Sequence, residues 1–232
     1  MTKVSPSPAT LRLARCGLDD PGRALGLRSG DVLIGVAGQA WQGSPEALRA
    51  RFAGGDPLLV SFLRGDVMIS LLVDRADLGR WERTTPPDRM SALPAPDDRL
   101  CNWQIMQHHD GHHDLFALRP QTLALLAPAL WLAQERMFTW LVALGAALAL
   151  ALPGGALLMG VVWIAAGLHL WRQGPLHIRQ ARLTDGYRPA GVIAARSAAQ
   201  ARADWGALVP GARFRFDSPR ATAKPVAEQP AL

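Results

Sequence analysis

Only two cysteines, Cys16 and Cys101, and a single tyrosine occur in the 232 residues. Two thiols are too few for a disulfide framework or a structural zinc site built from thiolates, and neither has a Cys-x-x-Cys partner. Charge is scarce as well. Asp, Glu, Lys and Arg make up 19% of the chain, against about 25% in an ordinary globular protein. With 49% hydrophobic residues, this excludes an intrinsically disordered chain, which is apolar-poor and charge-rich. No Gly-x-Ser-x-Gly, His-Glu-x-x-His, Gly-x-x-x-x-Gly-Lys-Ser/Thr or Gly-x-Gly-x-x-Gly run occurs. The chain therefore shows no nucleophile elbow, zincin helix or phosphate-binding loop. A non-enzymatic role follows as the expectation, with no cofactor and no small-molecule substrate. The first twenty residues hold no apolar run, so a cleaved signal peptide is not expected.

What the chain does have is unevenly spread. The net charge of +6 comes entirely from the last quarter: ten of the 25 Lys and Arg lie after Trp171, against four of the 19 Asp and Glu. Between Met137 and Trp171, 35 residues carry no Asp, Glu, Lys or Arg. Pro153-Gly154-Gly155 divides this block into two arms of 16 residues, Met137–Leu152 and Ala156–Trp171. Each arm would be about 24 Å long as a helix, somewhat short of a bilayer core of about 30 Å. Neither arm shows the polar face of a soluble helix. Trp140 and Trp171 stand where interfacial aromatics belong, and Arg136 and Arg172 can snorkel to lengthen the reach. The block reads as a transmembrane hairpin, with a buried soluble core as the alternative. Arginines flank it on both sides and its turn is uncharged, so the positive-inside rule places both termini in the cytoplasm. The stretch 121–133, broken by Pro128, either lies at the interface or extends the first arm. The basic end lacks clustered runs and interleaved aromatics. It therefore points to anionic lipid rather than to nucleic acid.

Before this block the pattern is β-rich. Leu11 and Leu13 alternate with Arg12, 32–36 is a short apolar run ending at a turn, and Leu58–Leu63 and Val67–Val73 flank an Arg64-Gly65-Asp66 hairpin signal. Ser44 and Pro45 open a helix that Gly54-Gly55 stops. The run Asp20-Pro21-Gly22-Arg23-Ala24-Leu25-Gly26-Leu27-Arg28-Ser29-Gly30-Asp31-Val32-Leu33-Ile34-Gly35-Val36-Ala37-Gly38, followed by this helix and hairpin, resembles bacterial PDZ domains over about residues 10–74. Leu25-Gly26-Leu27 stands for Ala-Gly-Leu, and Val36-Ala37-Gly38 for Val-Asn-Gly. The resemblance implies a groove that takes an extended segment of a partner protein by strand addition. Its walls would be Leu11 and Leu13 on one side and Leu48 and Phe52 on the other. The glycine-rich carboxylate loop of that family has no counterpart in 1–9, so an internal peptide ligand or a purely structural role is as consistent as capture of a C-terminus. From Cys101 to Arg196 the chain resembles an uncharacterised family of small bacterial inner-membrane proteins, on Asn102-Trp103, Asp110-Gly111, Asp114-Leu115, Pro128, Trp131, Arg136, the hairpin and Asp185-Gly186-Tyr187-Arg188. That resemblance carries no chemistry.

One further cluster invites chemistry. His108, His109, His112 and His113, with Asp110 and Asp114, form two His-His-Asp units; on a helix they would offer a zinc or nickel site. Gly111 at the centre argues instead for an exposed polar turn. The expected organisation is α+β. A tail (1–9) precedes a PDZ-like β-rich domain (10–80), a Pro-rich linker (81–101) and a membrane-proximal segment with the His-rich turn (102–120). A membrane region (121–171) with its turn at 153–155 follows, then a basic cytoplasmic tail (172–232), helical over 190–202 and disordered from about 217. The expected role is a scaffold or adaptor of the bacterial inner membrane whose partners are another protein and the lipid bilayer. The alternatives are an integral subunit or assembly factor of a larger membrane complex, with the PDZ-like fold only structural, and a metal-binding protein.

Overall fold

The computed structural model describes residues 9–87 and 92–215. They form an α+β fold of two sheets and a long apolar helical stretch. The first sheet contains β1 (Thr10–Arg15), β2 (Val32–Val36), β3 (Gln39–Ala40), β4 (Leu58–Arg64), β5 (Val67–Val73) and β6 (Arg80–Thr84). Its order is β5-β4-β2-β1-β6, with β3 beside β2. Two short helices complete it, α1 (Pro21–Ala24) and α2 (Pro45–Arg51). The sequence signals act here as expected. Ser44 Oγ accepts the Ala47 N–H at 3.2 Å to cap α2, and Pro45 takes the first helical position. Gly65 closes the β4–β5 hairpin at φ 59°, a left-handed conformation that costs glycine no Cβ clash.

The second sheet has the order β10-β8-β7-β9, with β7 (Cys101–His108), β8 (His112–Ala117), β9 (Tyr187–Ala195) and β10 (Arg213–Phe214). Five helices accompany it. α3 (Thr122–Leu126), α4 (Pro128–Gln134), α5 (Phe138–Ala151) and α6 (Gly155–Thr184) lie between β8 and β9, and α7 (Ala198–Leu208) follows β9. The entire helical block is thus an insertion into one sheet. The chain leaves at Ala117 and rejoins at Tyr187, which pairs with His108.

Two apolar clusters sit on this frame. One joins Leu11, Leu33, Phe62 and Leu71 of the first sheet to Ile105, Val192 and Trp205 beside the second. The other packs Met106, Phe116 and Tyr187 of the second sheet against Trp131, Leu132 and Ile178 of the helices. The Asn102 side chain also bridges the sheets like a missing strand. It accepts from the Leu72 N–H at 2.9 Å and donates to the Leu72 carbonyl at 2.7 Å.

Three boundaries differ from expectation. Part of the expected linker is strand β6, and its later portion lies along the first sheet, where a Cβ on Gly35 would come within 2.7 Å of the Leu93 side chain. The supposed basic tail is folded, because α6 runs on to Thr184, 187–195 is a strand rather than a helix, and α7 begins only at Ala198. The two apolar arms are also unequal. α5 has 14 residues and α6 has 30. The expected disorder after 217, and all but the last residue of the expected 1–9 tail, lie outside the described residues.

Candidate functional site

The helices α5 and α6 present an exposed apolar surface. The helical stretch Phe138–Thr184 is long and apolar enough to cross a membrane, and only 11% of its most apolar window is buried. A soluble core helix would be mostly covered. Here Leu150 is 82% and Leu157 81% exposed, and Val142 and Ile164 are exposed too. The 30 residues of α6 extend about 45 Å, which exceeds a bilayer core, whereas α5 alone reaches only about 21 Å.

A 3-10 turn at Leu152–Gly154 separates α5 from α6 and reverses the chain. Trp140 near the start of α5 consequently lies 4.3 Å from the His177 ring and 6.3 Å from the His169 ring of α6. The two imidazoles face each other, Nε2 to Nε2, at 3.0 Å. Of the other interfacial candidates, Arg136 is exposed in a left-handed turn at φ 58°, Trp171 is half-buried and Arg172 is exposed.

The near end of α6 is fastened to the second sheet by charge. Arg182 Nε stands 2.7 Å from Asp114 Oδ2 on β8, with both side chains buried, and Asp185 Oδ2 is 3.8 Å from Arg182 Nη1. Glu135, at the end of α4, joins this group. Burial pushes its carboxyl above the ordinary range, Arg182 opposes that shift, and the Asp114 charge adds to it. Trp131 Nε1 donates to Gln121 Oε1 at 2.8 Å, which satisfies the one polar atom of a ring that is otherwise enclosed.

The expected peptide groove is not where the sequence pointed. β1 pairs with β2 on one side and, from Thr10 to Arg15, with β6 on the other. Leu11 and Leu13 have no exposure and Leu48 has 2%; all three are core, and Phe52 packs against the same core. No strand can add beside β1, because the chain's own Arg80–Thr84 occupies that edge. Among the described residues, the outer edge of the sheet on this side belongs to β6. The carboxyl of Glu46, at the start of α2, is held low first by its hydrogen bond with Ser44, next by one with its own backbone, and in smaller part by the charges of Arg49 and of Arg83 on β6.

The His-rich run forms a strand turn, not a helix. Gly111, at φ 88°, sits in the β7–β8 connection. Asp110 accepts from the His112 backbone N–H at 3.0 Å and lies 2.8 Å from His108 Nδ1 and 3.1 Å from His112 Nδ1. The His112 N–H first, and the two imidazoles after it, hold its carboxyl well below the usual range. The His109 ring lies 4.0 Å from that of His108, tilted by 49°, while His113 turns inward between Trp205 and Phe214, where burial lowers its pKa. Strand alternation therefore splits the four histidines between surface and core. Among the described residues no three His, Cys, Asp or Glu side chains converge to hold a metal, which corrects the expectation for His108, His109, His112 and His113.

A cavity of about 370 Å³ lies between β5, the 94–100 stretch, β9 and α7, with Met68, Ile69 and Leu208 among its apolar walls. Nothing in the sequence marked it, since its walls come from five separate segments, Leu59 of β4 among them. No family model matches the chain, and no curated protein matches it either.

Proposed function

We propose that the chain is a non-enzymatic membrane-anchored adaptor. In this reading α6 crosses the bilayer, and α5 with its turn brings the chain back as the second arm of a hairpin. Both sheets stand on one side, the cytoplasmic side of a bacterial inner membrane. The observation that carries it is topological: a largely uncovered apolar block is inserted between β8 and β9 of one sheet. Both ends of the insertion must lie at the same sheet, so an even number of crossings fits and a single crossing does not. Arg119, Arg136, Arg172 and Arg179 flank the block while its turn is uncharged, which sets the sheets inside.

The first sheet supplies the interaction part. Its order of strand, turn, strand, helix and hairpin supports the PDZ resemblance. With β1 closed on both sides, an extended partner segment would add to the edge of β6 beside α2. Carbonate extraction tests the anchor, combined with labelling by a membrane-impermeant maleimide in a chain whose Cys16 and Cys101 are replaced by Ser. The chain stays in the pellet, Pro153→Cys in the turn labels from the outer face, and Leu18→Cys labels only after lysis. Release into the supernatant overturns the anchor. A photo-crosslinking residue at Arg83 tests the adaptor, which predicts a discrete adduct that a Pro substitution at Thr84 removes.

A second reading, an integral subunit of a larger membrane complex, has one observation in its favour. A Cβ placed on Gly145 or Gly160 meets nothing within 4 Å, so both helix surfaces have room for another helix. A stoichiometric complex surviving mild detergent would favour it over the adaptor.

A further inference from the structure

We propose that α3 and α4 form a re-entrant elbow, dipping into the acyl-chain region of the bilayer from the side of the two sheets and returning to it. This rests on the reading of α6 as a spanning helix. The depth follows from packing. A Cβ on Gly167 would fall 2.5 Å from the Leu125 carbonyl oxygen, so the end of α3 lies directly on the α6 backbone at that level. Trp131 of α4 lies over Gly174, where a Cβ would come within 3.1 Å of its ring. Glu135, where α4 ends, is close enough to Arg182 to feel its charge. The elbow thus has its tip near Gly167 and climbs along α6 toward Arg182. Counted from the turn at Gly155, Gly167 is about 18 Å into the bilayer along α6. That leaves the tip about 12 Å inside the near boundary of a core about 30 Å thick.

The local chemistry suits that depth. Backbone groups exposed in hydrocarbon must be paired within the protein. At the break the Ala127 N–H bonds to the Leu123 carbonyl at 2.8 Å, and the Ala127 carbonyl accepts the Trp131 N–H at 3.0 Å. The next residue is Pro128, which has no N–H to leave unpaired. The Leu125 carbonyl oxygen occupies the place a Gly167 side chain would take, a close approach that only glycine permits. Residues 122–133 carry no charge, and the side chains turned outward at the tip are Leu126, 70% exposed, and Leu130, 53% exposed. In water these would be two bare leucines beside a bare helix; in lipid they are solvated. The occupant of this face is therefore the same acyl-chain environment that surrounds α6.

The full chain with Cys16 and Cys101 replaced by Ser is reconstituted in phosphatidylcholine vesicles containing a minority of phosphatidylglycerol. A nitroxide is placed in turn at Leu126→Cys, Leu130→Cys, Leu150→Cys and Leu18→Cys, and its collisions with oxygen and with a polar nickel chelate are measured. Leu126 and Leu130 are expected to resemble Leu150, with nickel access several-fold below that at Leu18 and oxygen access above it. Nickel access at Leu126 and Leu130 equal to that at Leu18, with Leu150 still protected, overturns the elbow and leaves the spanning helix standing. Nickel access at Leu150 overturns the membrane reading and the elbow with it, whatever Leu126 shows. Using two tip positions keeps the result independent of one label's effect on folding.

Discussion

Arg182 Nε on α6 lies 2.7 Å from Asp114 Oδ2 on β8, and neither side chain is more than a tenth exposed. This is an ion pair at the joint between the apolar helices and the second sheet. Its desolvation cost makes it weak as a source of stability but sensitive to the loss of one member. Arg182→Met leaves Asp114 as an uncompensated buried acid beside the half-buried Glu135, and should cost about 3–5 kcal/mol. The double variant Arg182→Met/Asp114→Leu should recover most of that. Thermal unfolding in detergent of wild type, Arg182→Met, Asp114→Leu and the double variant gives the coupling directly. Additive effects would mean that the pair is not felt as a pair.

Glu135 gives this joint a pH dependence with a definite sign. Its folded-state pKa is raised by burial above that of the unfolded chain. Below the unfolded value both states hold the proton and nothing is lost. As pH rises from there through the folded value, the native state pays to ionise a buried group, so its stability falls. Glu135→Gln removes this penalty. The difference in midpoint between variant and wild type should therefore shift in favour of the variant as the pH is raised from about 4 toward neutral. A difference that is constant with pH, or that shifts the other way, refutes it.

The turn after α1 comes hard against the second sheet, where Gly26 meets Gly191 of β9. Gly26 has φ 79°, and a Cβ there would come within 2.6 Å of the Gly191 Cα. Gly26→Ala therefore pays for left-handed backbone, about 1–2 kcal/mol, and for a backbone clash that no rotamer relieves. Gly30 is also left-handed, at φ 97°, but a Cβ on it meets nothing within 4 Å. Gly30→Ala should cost the strain alone. Denaturant titration of both variants should show Gly26→Ala as clearly the more damaging. Equal losses would mean that the sheets do not pack as closely as the backbone approach indicates.

What could be read in the chain beforehand was local. The β4–β5 hairpin, the cap at Ser44 and the turn at Gly111 are each written within a few residues, and they form as expected. β6 was not legible, because Arg-Trp-Glu-Arg-Thr offers one apolar side chain and precedes prolines; its strand character comes from pairing with β1 some seventy positions away. β9 falls partly within the helix expected over 190–202 because the segment is rich in alanine, while Pro189 and Gly191 weaken its strand signal. Pairing with β7 overrides that propensity, and Pro189 falls at the register shift between Ile105 and Met106, where a strand tolerates proline. The groove residues failed for the same reason as β6. Whether Leu11 lines a groove or a core depends on what pairs beside it, and that partner is distant in sequence. The apolar block, by contrast, was visible as a lack of charge, though not the inequality of its arms or the reversal that brings Trp140 against His177.

Asn102 should matter more than its half-buried position suggests. Its amide completes both hydrogen bonds of the Leu72 backbone at the point where β5 passes the second sheet. Asn102→Ala leaves one backbone donor and one acceptor without partners, at a cost of about 1–3 kcal/mol. Asn102→Asp keeps an acceptor for the Leu72 N–H but sets a carboxylate against the Leu72 carbonyl, so it should not rescue the loss. Amide exchange at Leu72, which the native side chain protects, should rise in both variants. Unchanged protection would show that the side chain does not hold the two sheets together there.

The small residues of the apolar block look alike in sequence, but the structure separates them. Gly167 lies under the Leu125 carbonyl, whereas Gly145 and Gly160 have open space where a Cβ would go. In an unobstructed helix, replacing Gly by Ala gains up to about 1 kcal/mol from backbone entropy. Gly145→Ala and Gly160→Ala should therefore leave the protein as stable as before or more so. Gly167→Ala must push α3 off α6, breaking the close contact on which the elbow depends, so the same change of one methyl should reverse sign. Unfolding midpoints of the three variants in one detergent compare them under identical conditions. Stabilisation by all three would show that α3 does not rest on α6 at Gly167. Destabilisation by Gly145→Ala or Gly160→Ala would instead show that another helix occupies the space above those residues, as the complex-subunit reading requires.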